Sequence, residues 1–199
     1  MIEAFKSIDE REAEASGWVA LDTKFERFVT AAVATAINRK AKMRIAHIEF
    51  SSGKKRVPEG SKESRVDLAI LKEPIASRAA RCLRGGPCTV KMKYETKAGQ
   101  LFDFAPEAET DEKYLGAALD KDMRGMKLGC GAGLFFISEI EDGRRCAKYF
   151  AGHTTTLEAA IEILKGNIEG TFVKSEPMKC GKIDGTDVTI HMCVFDPLT

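Results

Sequence analysis

Several features of other protein classes are missing from this chain of 199 residues. It has no run of about 18 apolar residues, so a transmembrane helix is not expected. Its first fifteen residues, MIEAFKSIDEREAEA, are acidic and lack the apolar stretch of a secretory signal. We therefore expect a cytoplasmic protein that has no membrane partner.

The six cysteines form no C-x-x-C pair, which argues against a zinc ribbon or a thioredoxin-like motif. Without a secretion signal, buried free thiols are a better expectation than disulfides. No local pattern links a cysteine to one of the three histidines, as a catalytic thiol would require. We interpret His47 as structural, His191 as surface-facing, and Trp18, the single tryptophan, as a packing residue.

Charge is distributed unevenly along the chain, although its formal net charge is only +1. Residues 39–97 contain 16 basic and 6 acidic residues (net +10), whereas the remainder contains 15 basic and 24 acidic residues (net −9). A basic segment is what a polyanion-binding surface needs. A solvated face that acidic neighbours balance after folding would give the same counts, so charge alone leaves both readings open.

The spacing of apolar residues predicts an α/β order of elements. We expect an acidic helix over 1–15 that is interrupted at Gly17 and Trp18, and a helix over 22–39 that is capped by Asp22 or Thr23. Further helices are expected over 75–84, 113–128 and 156–165, and an acidic loop over 99–112. Strands are expected over 44–50, 65–71, 89–97 and 133–141, and over 188–196, where the strand pairs near 171–175.

Two carboxylates and a lysine form a candidate catalytic constellation. Asp67 interrupts an otherwise apolar strand, and a carboxylate buried in a strand is costly unless it is paired or binds a cation. Glu95 and Lys97 are two residues apart on a later strand, so their side chains share a face. If the two strands are neighbours, both carboxylates could bind one Mg²⁺. Alternatively, Glu95 and Lys97 are a solvated face and Asp67 pairs with a nearby basic residue.

These residues resemble the signature of the PD-(D/E)XK nuclease superfamily: V-D-L at 66–68 and Y-E-T-K at 94–97 stand where that family has its Asp and its E-x-K. The leading Pro is absent, and the 28 residues from Asp67 to Glu95 require an insertion. The resemblance implies an α/β fold with a restriction-endonuclease-like core, in which helices flank a central mixed sheet (αβββαβ). It covers the core at 24–140 of one domain, between a helical extension at 1–20 and an added C-terminal helix and strands at 141–199.

The resemblance also implies a function. Asp67 and Glu95 would bind Mg²⁺ or Mn²⁺, Lys97 would position the attacking water, and Glu26 would supply the glutamate that the family often carries on its first helix. The expected reaction is hydrolysis of phosphodiester bonds, with DNA as the first expectation, and a homodimer or a larger complex is possible. The alternatives are a catalytically inactive nucleic-acid-binding protein on this scaffold, or a protein-interaction module that uses the acidic segments 1–15 and 99–112.

Overall fold

The structure, a computed structural model, describes residues 1–21, 25–51, 65–74, 90–104, 123, 126, 131–141, 155–183 and 185–197. The predicted helix over 75–84 lies outside these residues. So does the predicted helix over 113–128, apart from Met123 and Met126. No helix in the described ranges is both long enough and apolar enough to cross a membrane.

Two N-terminal helices precede the core: α1 (Ile2–Phe5) and α2 (Glu10–Ala20). Asp9 caps α2, because its side chain accepts a hydrogen bond from the Glu12 N–H at 3.0 Å. The predicted interruption at Gly17 and Trp18 is wrong, since α2 passes through both residues. The interpretation of Trp18 as a packing residue is also wrong, because its side chain is 50% exposed.

The long helix α3 covers Glu26–Ala41. The predicted caps at 22 and 23 lie outside the described residues, and Phe25 occupies the N-cap position without a side-chain cap hydrogen bond. The helix buries an apolar stripe that includes Val29 and Val33, as its spacing predicted, whereas Phe28 of the same predicted stripe is 48% exposed. It ends where Lys42 adopts a left-handed backbone conformation with φ of 53°.

The described strands form one six-stranded mixed sheet in the order β1-β2-β3-β4-β6-β5. They are β1 (Ala46–Ser51), β2 (Arg65–Leu71), β3 (Val90–Gln100), β4 (Ala132–Glu141), β5 (Thr171–Ile183) and β6 (Thr186–Asp196). β3 and β4 run parallel, and the other neighbouring pairs are antiparallel. The chain therefore needs a crossover between β3 and β4, for which residues 101–131 are long enough.

Helices cover both faces of this sheet, as predicted for an α/β fold. One cluster of buried residues joins α1–α3 to the sheet and includes Phe5, Leu68 and Phe136; we call it the first core. The second core lies on the other face, beneath helix α4 (Leu157–Asn167), and includes Phe135 and Leu164. Each fully buried Leu or Phe contributes about 1.5–3 kcal/mol to folding.

The predicted strands over 44–50, 65–71, 89–97, 133–141 and 188–196 and the helix over 156–165 are confirmed to within about three residues at their ends. The pairing near 171–175 is also present, but β5 continues to Ile183. Thr156 caps α4 by accepting a hydrogen bond from the Ala159 N–H at 3.2 Å. The predicted loop over 99–112 is wrong at its start. β3 continues to Gln100, and Leu101–Phe104 form a 3₁₀ turn whose Phe104 packs in the second core.

Candidate active site

Strands β2 and β3 separate at the position of the predicted catalytic residues. Their ladder runs from Leu71–Val90 to Leu68–Tyr94. Past that last pair, β2 stays beside β1 while β3 continues beside β4 as far as Gln100. Asp67 and Glu95 therefore occupy the facing positions one step beyond the ladder. We call this opening, formed by Asp67 on β2 and residues 95–97 on β3, the fork.

The Asp67 side chain accepts a hydrogen bond across the fork. The backbone N–H of Thr96 donates to Asp67 Oδ2 at 2.9 Å. In a continuing antiparallel ladder, that N–H would pair with a carbonyl oxygen of β2. The Asp67 carboxylate replaces this carbonyl, which explains why a polar residue is tolerated within an otherwise apolar strand.

Glu95 and Lys97 lie on the second-core face of the sheet. Tyr94 packs in the first core, and side chains alternate along a strand, so residues 95 and 97 belong to the other face. The register agrees, because Lys97 is paired with Phe135, a second-core residue. The predicted common face of Glu95 and Lys97 is therefore present.

Asp67 shares that face with Glu95 and Lys97. Its neighbour Leu68 packs in the first core, so alternation places Asp67 on the second-core side. The structure therefore brings together the three residues of the predicted signature. All three side chains are partly exposed, which leaves them within reach of a ligand.

Glu26 reaches the fork from the opposite face. The Thr96 hydroxyl donates to Glu26 Oε1 at 3.2 Å and lies 3.3 Å from Thr30 Oγ1. Thr30 in turn donates to the Glu26 backbone carbonyl at 2.7 Å. Glu26 is thus tied to β3 through Thr96, on the first-core side, rather than placed beside Glu95 and Lys97.

The donor set fits a magnesium ion better than a metal that needs many protein ligands. No group of three or more His, Cys, Asp or Glu side chains that could hold a metal ion occurs in the part of the chain that the structure describes. Magnesium typically takes one or two carboxylates and fills its other positions with water and substrate phosphates. Asp67 and Glu95, from facing positions, match that requirement, and Asp67 uses only Oδ2 for the Thr96 hydrogen bond.

Known proteins give no further guide to this site. Comparisons with family models, curated proteins and solved structures found no match. The resemblance to the PD-(D/E)XK superfamily accordingly stays a prediction from the motif residues.

Two histidines can be placed relative to the fork. The prediction that His191 is surface-facing is wrong: it is 8% exposed, and its Nε2 lies 2.7 Å from Glu139 Oε2. His47 is half-buried and packs against the Phe50 ring. Burial and the nearby Arg44 charge lower the pKa of His47, so its imidazole is neutral at pH 7. Neither residue has a hydrogen bond that links it to the fork among the described residues.

The described cysteines are inert thiols, as predicted. Cys180 and Cys193 are free and buried. Burial raises the pKa of Cys180 to about 11 and that of Cys193 to about 12, so neither is a thiolate at neutral pH. The other four cysteines lie outside the described residues.

Sequence reasoning missed Thr96 and Thr30, which connect Glu26 to the fork. Thr96 stands at the unspecified position of E-x-K, and both hydroxyls are buried. The signal that could have found Thr96 is strand alternation, which implies that it faces away from Glu95 and Lys97. It did not identify α3 as the element on that side.

Proposed function

We propose that this protein is a Mg²⁺-dependent nuclease that hydrolyses phosphodiester bonds, with DNA as its substrate and Mn²⁺ as an effective substitute. The observation that supports this best is the fork. Asp67 and Glu95 occupy facing positions there, and Lys97 lies two residues further along the same face. A partly exposed pair of carboxylates beside a lysine is suited to a divalent cation and a phosphate.

Each residue has a defined task in this proposal. Asp67 and Glu95 hold the metal, which lowers the pKa of bound water and offsets charge on the phosphate when it is present. The Thr96 N–H fixes the Asp67 carboxylate. Lys97 orients the attacking water and adds positive charge near the phosphate. Glu26 acts through Thr96, from the other face of the sheet.

We further propose that the core is restriction-endonuclease-like. Support comes from the order of the described elements. A helix, α3, precedes the three antiparallel strands β1–β3, and β4 then runs parallel to β3. In the αβββαβ order, a helix stands between the third and fourth strands. Of the two described residues in that interval, Met123 is helical and Met126 is not, and both pack in the second core.

A nucleic-acid-binding protein without turnover is the second candidate. It is favoured by the exposed Lys91 and Lys93, which precede Glu95 on β3 and could bind phosphate without a metal. On this alternative, the protein would bind nucleic acid in a salt-sensitive manner and would leave it intact in Mg²⁺. A fold suited to catalysis does not by itself supply the chemistry.

The test is cleavage of supercoiled plasmid, linear duplex, single-stranded DNA and RNA in Mg²⁺, Mn²⁺ or EDTA. Wild type is compared with Glu95→Ala and Lys97→Ala. Lys165→Ala is the matched control, because Lys165 pairs with Glu162 within α4 and has no described contact with Asp67, Glu95 or Lys97. We expect metal-dependent cleavage that both fork variants lose and the control retains.

Two results would count against the proposal. Cleavage that survives in both fork variants would show that Glu95 and Lys97 are not the catalytic residues. Intact substrates in both metals, together with tight binding, would favour the second candidate. Comparing the four substrates also shows which nucleic acid is cut.

A further inference from the structure

We propose that the end of the sheet next to the fork holds the phosphate backbone of the nucleic acid, through a surface that we call the basic end. Its residues are Lys42, Arg44, Lys72, Lys91 and Lys93. This inference rests on the proposed function, because it assigns a substrate surface to the same site. It is carried by the strand register together with the exposure of these five side chains.

Three chain segments meet at the basic end. The Leu71 N–H donates to the Ile45 carbonyl at 2.9 Å, and Leu71 is paired with Val90. The start of β1, the end of β2 and the start of β3 therefore lie side by side. This brings together basic residues that are up to 51 positions apart in the sequence.

The basic end carries a concentrated positive charge. Residues 42–45, 72–74 and 90–93 contain five basic residues and one acidic residue, Glu73, for a net charge of +4. All five basic side chains are exposed. No ion pair joins any of them to a carboxylate among the described residues.

The nearby Arg39, unlike the residues of the basic end, is paired with carboxylates. Its guanidinium pairs with Asp9 at 2.9 Å and with Glu12 at 3.0 Å, so its charge is used to hold α2 against α3. The basic end has no such partners within the described chain. A row of solvated cations without counter-charges is what an extended polyanion requires.

The basic end is continuous with the fork. Lys93 shares the β3 face of Glu95 and Lys97 by strand alternation, and Lys91 follows at the register shift between β2 and β3. At about 3.3 Å per residue, Lys93 and Lys91 lie about 7 and 13 Å from Glu95 along the strand. Phosphates of one strand follow each other every ~3.4 Å along a duplex axis. The lysines would therefore contact phosphates within about four steps of the cleaved bond, on one side of it.

The test measures binding without cleavage. Fluorescence anisotropy of a labelled DNA duplex in EDTA, over a series of salt concentrations, compares wild type with the triple variant Lys72→Gln/Lys91→Gln/Lys93→Gln. The matched control removes the same charge elsewhere, as Lys165→Gln/Lys179→Gln/Lys182→Gln on α4 and β5. Both proteins then carry the same net charge, so an effect of charge alone moves both equally.

We expect the triple variant to bind at least about tenfold more weakly at low salt, and the control to bind like wild type. The slope of log K against log salt should become shallower by about 0.9 for each phosphate that the variant no longer binds. Equal weakening in both variants, or no binding by wild type, would overturn the assignment of the basic end. Co-sedimentation with anionic lipid vesicles is measured alongside, and a triple variant that loses vesicle binding but binds DNA like wild type would also overturn the assignment.

The two proposals fail separately in this design. If the triple variant loses DNA binding while wild type cleaves nothing in Mg²⁺, the basic end is confirmed as the DNA-binding surface and the nuclease proposal is wrong. If wild type cleaves in Mg²⁺ and the triple variant binds DNA like wild type in EDTA, the nuclease proposal stands and the basic end is wrong.

Discussion

Thr96 connects two of the predicted catalytic side chains, although the motif leaves its identity open. Its N–H holds Asp67, and its hydroxyl contacts Glu26. The sequence predicted Asp67, Glu95 and Lys97 because their residue types and spacing are distinctive. The role of Thr96 could not be predicted, because it depends on a helix residue 70 positions away in the chain.

Replacing Thr96 by valine tests this connection. The backbone N–H stays available to Asp67, whereas the hydroxyl that donates to Glu26 is removed. We expect the free energy of unfolding to fall by about 1 kcal/mol, because the hydrogen bond is long and Glu26 is partly exposed. Urea denaturation measures this decrease.

The conservative variant Thr96→Ser tests whether the hydroxyl of residue 96 positions Glu26 or whether the side chain only fills space in the core. Valine removes the hydroxyl that contacts Glu26, so we expect Thr96→Val to need a higher metal concentration for half-maximal cleavage than wild type. Serine keeps the hydroxyl, so Thr96→Ser should need nearly the wild-type concentration. Equal metal dependence in all three proteins would show that the hydrogen bond to Glu26 has no part in the site.

Asp103, in the 3₁₀ turn after β3, gives the protein a pH-dependent stability. Its Oδ2 accepts a hydrogen bond from the Gln100 N–H at 2.8 Å, whereas Oδ1 is buried without a partner among the described residues. Burial raises the pKa of Asp103 to about 6, and the Gln100 hydrogen bond opposes that rise. In the unfolded chain the pKa is about 3.9.

The sign of the effect follows from these two pKa values. Between about pH 4 and pH 6 the unfolded state has lost this proton and the folded state still holds it, so stability falls as pH rises. The full penalty above pH 6 is about 2–3 kcal/mol.

Asp103→Asn removes the charge and keeps an oxygen for Gln100. We expect this variant to be more stable than wild type at pH 7.5, and the difference to be much smaller at pH 4.5. Urea unfolding at the two pH values measures it. An equal difference at both values would contradict the raised pKa.

At the scale of elements, alternation and helical spacing predicted the strands and the long helix, because these patterns are local. The predicted break at Gly17 failed for a physical reason. A Cβ on Gly17 would collide with Ile183 Cδ1 and would lie 2.6 Å from Cys180 Cβ. This glycine is therefore required for close packing of α2 on β5, and does not end the helix.

Two glycine-to-alanine substitutions distinguish the effect of packing on stability from the effect of helix propensity. Gly17→Ala should destabilise the fold by about 1–3 kcal/mol, because β5 cannot move away without disturbing the sheet. Gly166→Ala, in α4, meets nothing within 4 Å and should stabilise by about 0.5–1 kcal/mol. Thermal unfolding of both variants gives the comparison. A destabilised Gly166→Ala, or an unaffected Gly17→Ala, would contradict this packing.

At the scale of the whole molecule, the α/β class followed from the order of predicted elements, whereas the strand order did not. The insertion between Asp67 and Glu95 left it open whether the two residues meet. The β2–β3 ladder places them at facing positions, since Leu68 pairs with Tyr94. Such pairing arises from the folded sheet and has no local signal in the sequence.

The structure also shows which basic residues of the chain are paired with carboxylates, which the counts of charged residues could not predict. Sequence alone left open whether the basic segment over 39–97 is balanced by acidic neighbours. Arg39 is balanced in this way by α2, while the residues of the basic end are not paired with described carboxylates.

The central claim is that Asp67 and Glu95 bind a divalent metal at the fork while Lys97 acts on water. It is tested most directly by Mn²⁺ binding, measured by electron paramagnetic resonance, in wild type, Asp67→Asn, Glu95→Gln and Lys97→Ala. Removing a ligand should weaken binding by at least about tenfold, since even changes to groups that only orient metal ligands cost about 10–100-fold. We expect that weakening in both carboxylate variants and near-normal Mn²⁺ affinity in Lys97→Ala. Unchanged affinity in Asp67→Asn and Glu95→Gln would contradict the claim.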